Sequence, residues 1–320
     1  GQSDNITGQL LWSESHTPNR TDLTEQWDGR KINDGAGLLY WSHSTRKEDV
    51  FAQVQSFGKD FRADDGFIPQ VGYSEAYLEA GYTLRPKKAF LSRIRLFSAN
   101  YIDVRPGGDV LSQRLSFGSG MDGRWNSFFR YELNADAIRV GDQLLHRFRP
   151  RLQAQAIPGR VVNSLAIDTF FGQEIDFANG REGTGATIAG SFVLRPDEHL
   201  ELRGNISRRW LNIDEPNGMK GRLFTAQVER LRTTLSFSAR SFLRLIGQYT
   251  ETKRNPDLFT FEVGPKTASF SGSALFAYKL NWQTVLFAGY GDERAFDSDT
   301  DKLEASSRQL FTKISYAWQK

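Results

Sequence analysis

Along most of the chain, polar and apolar residues change places at every second position. In RFRPRLQAQA, Arg147, Arg149, Arg151, Gln153 and Gln155 alternate with Phe148, Pro150, Leu152, Ala154 and Ala156. Strict alternation is the period of a β-strand, whose successive side chains point to opposite faces. In SEAYLEAGYTL, Ala76, Leu78, Ala80, Tyr82 and Leu84 oppose Glu75, Tyr77, Glu79, Gly81 and Thr83. RYELNADA sets Tyr131, Leu133, Ala135 and Ala137 against Arg130, Glu132, Asn134 and Asp136. HLELRGNISR, RLRTTLSF and the stretch from Leu243 to Thr250 repeat the pattern. No stretch shows helical periodicity. The pattern predicts an all-β chain.

Strands are expected near Ile6, Leu38, Phe51, Tyr77, Ile94, Leu115, Tyr131, Leu152, Ile167, Ile188, Leu202, Leu231, Leu245, Phe276, Leu286 and Ile314. That makes about sixteen. Short turns are expected at Pro158–Arg160, Arg195–His199, Ser238–Ser241 and Leu280–Trp282. Between them lie longer polar stretches, Glu174–Thr184, Asn212–Arg222, Glu251–Lys266 and Asp292–Ser306, read as loops. Short turns on one side and long loops on the other are the layout of an outer-membrane barrel, whereas a sandwich has Greek-key crossovers. The expected fold is therefore a transmembrane antiparallel up-and-down β-barrel of the outer-membrane type. In it the apolar face meets lipid and the arginine face meets a hydrated interior. Leu152, Leu202, Leu245 and Tyr278 are expected outside. Tyr82, Trp125, Tyr131, Tyr249, Tyr278, Tyr316 and Trp318 are expected as interface girdles.

Composition agrees. The 320 residues are 39% hydrophobic, yet 13% are aromatic and 29 are glycine, and the mean hydropathy is −0.50. Few aliphatic residues with many aromatic ones suit a wall one residue thick. There is no cysteine, and no apolar run reaches the ~18 residues of a membrane helix. The chain opens at Gly1 without a signal peptide, so its start is expected to have been processed or cut. The formal charge of +3 comes from interleaved acids and bases without a basic block, which argues against a nucleic-acid partner.

Two groups of segments carry a resemblance. One is GKDFRADDGFIPQ, with Asp60-Phe61 and Asp65-Gly66-Phe67-Ile68; the other is LFTAQVERLRTTLSFSARSFLRLIGQY with the ending SSRQLFTKISYAWQK. They resemble the C-terminal β-barrel region of an uncharacterised outer-membrane protein family. Its members carry a family-nine-like carbohydrate-binding domain near the N-terminus. The resemblance implies one barrel domain over 1–320, bacterial outer-membrane localisation and further barrel sequence upstream. The alternation of Tyr316 and Trp318 with Ser315 and Ala317 is similar to the terminal signal read by the barrel-assembly machinery. Gln319 and Lys320, which follow the last aromatic, depart from it.

The sequence carries little chemistry of the enzymatic kind. In DERAFDSDTDK, Asp297, Asp299 and Asp301 have the spacing of a calcium loop. Lys302 stands at the glycine position and Arg308 at the glutamate position, so the motif fails. His16, His43, His146 and His199 lack metal-ligand spacing, and no nucleophile elbow or phosphate loop occurs. No metal, cofactor or catalytic residue is expected. A surface hydrolase would need His16 or His146 brought by folding to an acid in the Asp-rich loops. The candidate residues are inward charges: Arg93, Arg95, Arg149, Arg151, Arg203, Arg230, Arg232 and Arg244, with Glu75, Glu79, Glu132 and Asp136. They form either a cationic ladder that guides anionic or sugar solutes, or ion pairs with the inward acids, Asp168 and Glu201 among them, that brace the wall. The expected activity is a pore or saccharide channel. The alternatives are a membrane anchor for a carbohydrate-binding domain and a barrel-borne hydrolase.

Overall fold

The computed structural model describes residues 3–25, 27–63, 68, 70–87, 90–215 and 218–318. They form seventeen antiparallel strands and one short 3-10 helix, Pro256–Leu258. The chain makes two compact units. The first, Gly1–Met121 with Glu132–Arg149, holds β1 (Ser3–His16), β2 (Lys31–Ser44), β3 (Glu48–Phe57), β4 (Tyr73–Leu84) and β5 (Leu91–Val104). It also holds most of β6 (Val110–Gly123), the second half of β7 (Ser127–Val140) and β8 (Gln143–Phe148). The second, Asp122–Tyr131 with Pro150–Lys320, holds β9 (Arg151–Ala156), β10 (Val162–Asp176), β11 (Arg181–Leu194), β12 (Leu200–Asp214) and β13 (Lys220–Ser238). β14 (Ser241–Arg254), β15 (Lys266–Lys279), β16 (Thr284–Asp297) and β17 (Lys302–Tyr316) complete it.

Neighbouring strands in sequence pair with one another in each unit, from β1 to β5 and from β9 to β17, as an up-and-down meander. All sixteen expected positions fall inside strands. The seventeenth comes from a correction to RFRPRLQAQA, which is two strands and not one. Proline has no N–H to give a ladder and fixes φ, so the run breaks at Arg149–Pro150. β7 accommodates the break by pairing with both halves. The Arg149 N–H donates to the Asn134 carbonyl at 2.8 Å, and the Asn134 amide donates back to the Arg149 carbonyl at 3.1 Å.

The four expected long loops are also corrected. They shrink to connections at 177–180, 215–219, 255–265 and 298–301, because the strands run on through the polar stretches. Ladder hydrogen bonds need no alternation; alternation marks only the part of a strand with one apolar neighbour. The short turns are where the spacing put them, at 157–161, 195–199, 239–240 and 280–283.

Register decides which residues share a face. In the second unit, Arg151, Gln153, Gln155, Asp168, Glu201, Arg203, Arg230, Arg232, Arg244 and Gln248 lie on one face. Leu152, Ile167, Leu202, Ile206, Leu245, Phe276, Tyr278 and Ile314 lie on the other. In the first unit, Asp49, Glu75, Tyr77, Glu79, Arg95 and Asp103 share a face opposite Val54, Leu78, Tyr82 and Ile102. The apolar face is the open one. Leu10 is 90% exposed and Leu310 80%, while Glu132, Asn134, Asp136 and Arg147 are buried.

That apolar face has limits. On β1 it runs from Ile6 to Trp12, between Asp4 and Glu14; on β12 it runs from Leu200 to Ile206 and meets Arg208. Seven residues at about 3.3 Å each span about 23 Å, close to the ~25 Å apolar belt of an outer-membrane barrel. Beyond the belt in the second unit the same face carries Glu229, Glu251, Asp292, Arg294 and Arg308. One glycine inside the belt has a packing reason. Phe192 lies across Gly204, and a Cβ there would come within 2.1 Å of its ring. The aromatic covers a glycine on the neighbouring strand.

Candidate functional site

The charged face of the first unit is closed by ion pairs. The Arg95 guanidinium bridges Asp49 on β3 and Glu79 on β4, the latter at 2.7 Å. Gly81 makes this possible, because a Cβ there would meet the Arg95 guanidinium at 2.5 Å. Tyr77 donates to Glu79 at 2.6 Å. Asp136, whose side chain is 1% exposed, accepts Arg114 Nε at 2.6 Å and Arg147 Nε at 3.1 Å. Glu75 accepts from Gln53 at 3.3 Å and Gln55 at 3.1 Å, and stands opposite Asp103 in register. A row of rings crosses the same face: Tyr40 and Phe51 lie 5.5 Å apart and Phe51 and Tyr77 5.9 Å. Tyr101, opposite Tyr77 in register, continues the row.

The second unit distributes charge differently. Arg151 is tied to Asp168 by Nε at 2.9 Å and Nη2 at 2.5 Å, as the bracing arrangement requires. Glu201 receives Arg203 through Nε at 2.6 Å and Nη2 at 3.2 Å, and Arg195 at 2.9 and 2.7 Å. Arg230, Arg232 and Arg244 form no ion pair among the described residues. Arg232 stands directly opposite Arg203. The Nε atoms of Arg232 and Arg244 and the Oγ1 of Thr234 are buried without a hydrogen-bond partner among the described residues. Arginines with and without an acid partner thus lie in different regions of the described residues. Arg93, Arg149 and Glu132 also lie on strands or their ends and take part in interactions.

Another layer escaped sequence reading because its residues lay in or directly beside stretches read as loops. The segment 255–265 folds back toward the strand ends. Leu258 joins Leu211, Ile213 and Leu223 in a buried cluster, with Met219, Phe224 and Phe259 against it. Arg181 fastens the segment: it pairs with Asp176 at 2.9 Å and Glu215 at 2.8 Å and donates to the Leu258 carbonyl. Asn179 accepts from the Thr260 N–H at 3.0 Å and its hydroxyl at 2.6 Å. Four apolar residues spaced through polar sequence were the available signal.

Three of the other chemical candidates have identified partners. Asp297 Oδ1 accepts from the Asp299 N–H at 2.7 Å and the Thr300 N–H at 3.3 Å, which caps a turn. His43 faces Asp4 at 2.9 Å, and His199 Nδ1 lies 2.7 Å from the Ser236 carbonyl. No cluster of three metal-ligating side chains occurs among the described residues. Among the girdle aromatics, Trp125 sits in the β6–β7 turn at φ 62°, while Tyr249 and Tyr278 lie on the apolar face. Asp65, Gly66 and Phe67 fall outside the described residues.

No protein-family model matches the chain, and no curated protein matches it. Among solved structures it is similar to the crystal structure of the outer membrane channel DcaP of Acinetobacter baumannii, at 12% identity and a TM-score of 0.39. That likeness covers 99% of this chain and 98% of the other.

Proposed function

We propose that the chain is a bacterial outer-membrane β-barrel that passes small polar solutes, saccharides among them, across the membrane. The observation that carries this reading is the inversion of its faces. Large apolar side chains stand open on one side of the strands, and on the other many charged side chains are half-buried or buried, Asp136 and Arg147 among them, although Arg203 and Arg230 are exposed. In water this arrangement is costly on both counts; with lipid outside and a hydrated interior it is favourable. The height of the apolar belt fits the same reading. Its partners are then outer-membrane lipid and, during insertion, the barrel-assembly machinery.

Saccharides are favoured by the row Tyr40, Phe51, Tyr77 and Tyr101 beside Gln53, Gln55 and Glu79. Ring faces suit the C–H surfaces of sugars, and amides and carboxylates suit their hydroxyls. A second reading, a non-conducting anchor for a carbohydrate-binding domain, is favoured by the ion pairs of the first unit and by the fastening of 255–265 through Arg181. Reconstitution into planar bilayers separates the two. The channel reading expects discrete conductance steps, reduced when a neutral malto-oligosaccharide is added. Folded, inserted protein without conductance would establish the anchor instead.

A further inference from the structure

We infer that the charged face of the second unit carries a binding site for organic anions with two or more carboxylate or phosphate groups, built from Arg203, Arg230, Arg232 and Arg244. The inference rests on the reading of that face as the hydrated one and goes beyond it by naming a site and a ligand class. The acid supply there is exhausted. A carboxylate offers about four acceptor positions, and Glu201 already takes four guanidinium hydrogen bonds, from Arg195 and Arg203. Arg232 is set opposite Arg203 across the β12–β13 ladder. Arg230 is two residues along the same strand, and Arg244 pairs with Thr234, two residues the other way. Like charges directly opposite destabilise a sheet, so this array is at its most stable with an anion among the guanidiniums.

The unused donors point the same way. Arg232 Nε, Arg244 Nε and Thr234 Oγ1 are buried without a partner among the described residues and lie within three successive inward positions of β13 and their β14 neighbour. Buried donors in this condition cost stability, and a guanidinium fork recovers it best from a planar carboxylate or a phosphate. Alternate residues on a strand lie about 7 Å apart. That spread suits an anion with several charged groups, since a halide or acetate can meet only one fork. Asn205, Gln248 and Ser273 on the same face supply neutral hydrogen-bonding groups at the margins. In the first unit, by contrast, Arg95, Arg114 and Arg147 already have acids.

Calorimetry on the folded, detergent-solubilised chain in dilute salt tests the site without requiring conductance. Citrate, the probe for the class, is expected to bind saturably and at least about tenfold more tightly than acetate. Arg232→Gln with Arg244→Gln should weaken citrate binding at least about tenfold. The Lys pair at the same positions should keep most of it, and Arg160→Gln in an exposed turn should change nothing. Absence of saturable citrate binding, or equal affinity for citrate and acetate, overturns the site using the unmodified protein alone, even if the Gln pair does not fold. Citrate binding that ignores a folded Gln pair overturns it too. Citrate binding lost with the Gln pair in a non-conducting protein would sink the channel reading and keep the site. Conductance without citrate binding would do the reverse.

Discussion

The two units use one strand pattern to opposite electrostatic ends. In the first, three guanidiniums of the charged face meet carboxylates: Arg95 on Asp49 and Glu79, Arg114 and Arg147 on Asp136. The local like-charge pair there is acidic, Glu75 opposite Asp103. In the second, Arg230, Arg232 and Arg244 form no ion pair among the described residues, and the like-charge pair is basic, Arg203 opposite Arg232. Alternation alone does not distinguish a bracing charge from a working one. The count of acids within reach across the ladder does.

The sharpest way to break this contrast is at Asp136. Asp136→Ala leaves Arg114 and Arg147 without their shared carboxylate in a buried place, where loss of one partner costs about 3–5 kcal/mol. Urea titration of the folded protein should show that loss, whereas Arg232→Gln should cost nothing or gain about 0.2–1 kcal/mol by relieving the Arg203 contact. If both changes destabilise alike, the distinction between paired and unpaired regions fails.

Next in size is the fastened segment. Leu258→Asp places a charge in the cluster of Leu211, Ile213 and Leu223, with a cost of about 2–5 kcal/mol, mostly local. The expected result is rapid proteolytic cutting within 255–265 while the strands stay protected. In conducting protein, a larger single-channel conductance would show that the segment narrows the path.

Gly81→Ala tests the first unit more gently. Its methyl group must push the Arg95 guanidinium away from Asp49 and Glu79, with an expected loss of about 1–2 kcal/mol in the same urea titration, since the site is half-buried. Unchanged stability would show that Arg95 braces nothing.

The smallest effect concerns the connection 17–30, outside the strands. The Arg30 backbone N–H donating to Asp28, helped by the Thr17 hydroxyl, holds the Asp28 carboxyl below its ordinary value of 3.8. A depressed folded value means the contribution is present above the unfolded value and is lost as pH falls through the folded one. Hydrogen exchange of Thr17 and Arg30 should therefore be steady at neutral pH, after correction for intrinsic rates, and should accelerate only below about pH 4. Acceleration already at pH 6 would assign the effect to another group.

Much of this was legible in the residues themselves. Every second residue of Leu243–Tyr249 or Ala76–Leu84 is suited to lipid, and that local property survives into the structure because a strand has no other way to place its side chains. The tight turns were legible too, at Pro158–Arg160 and Leu280–Trp282, because the polar breaks there are short. Where both faces are wet, as in Asp292–Asp297 and Lys302–Arg308, strand and loop look alike in sequence, and only ladder hydrogen bonds told them apart. Pro150 announced its missing donor, yet only Asn134, sixteen residues back on the neighbouring strand, turned the gap into a bonded break. The alternation placed Arg151 and Arg232 on the charged face alike. It could not show that Asp168 would reach the first and that Arg195, across a turn, would complete the acceptors of Glu201 before the second could use them. Which face a residue takes is fixed by its own strand; which charge it meets is fixed by the register of the next.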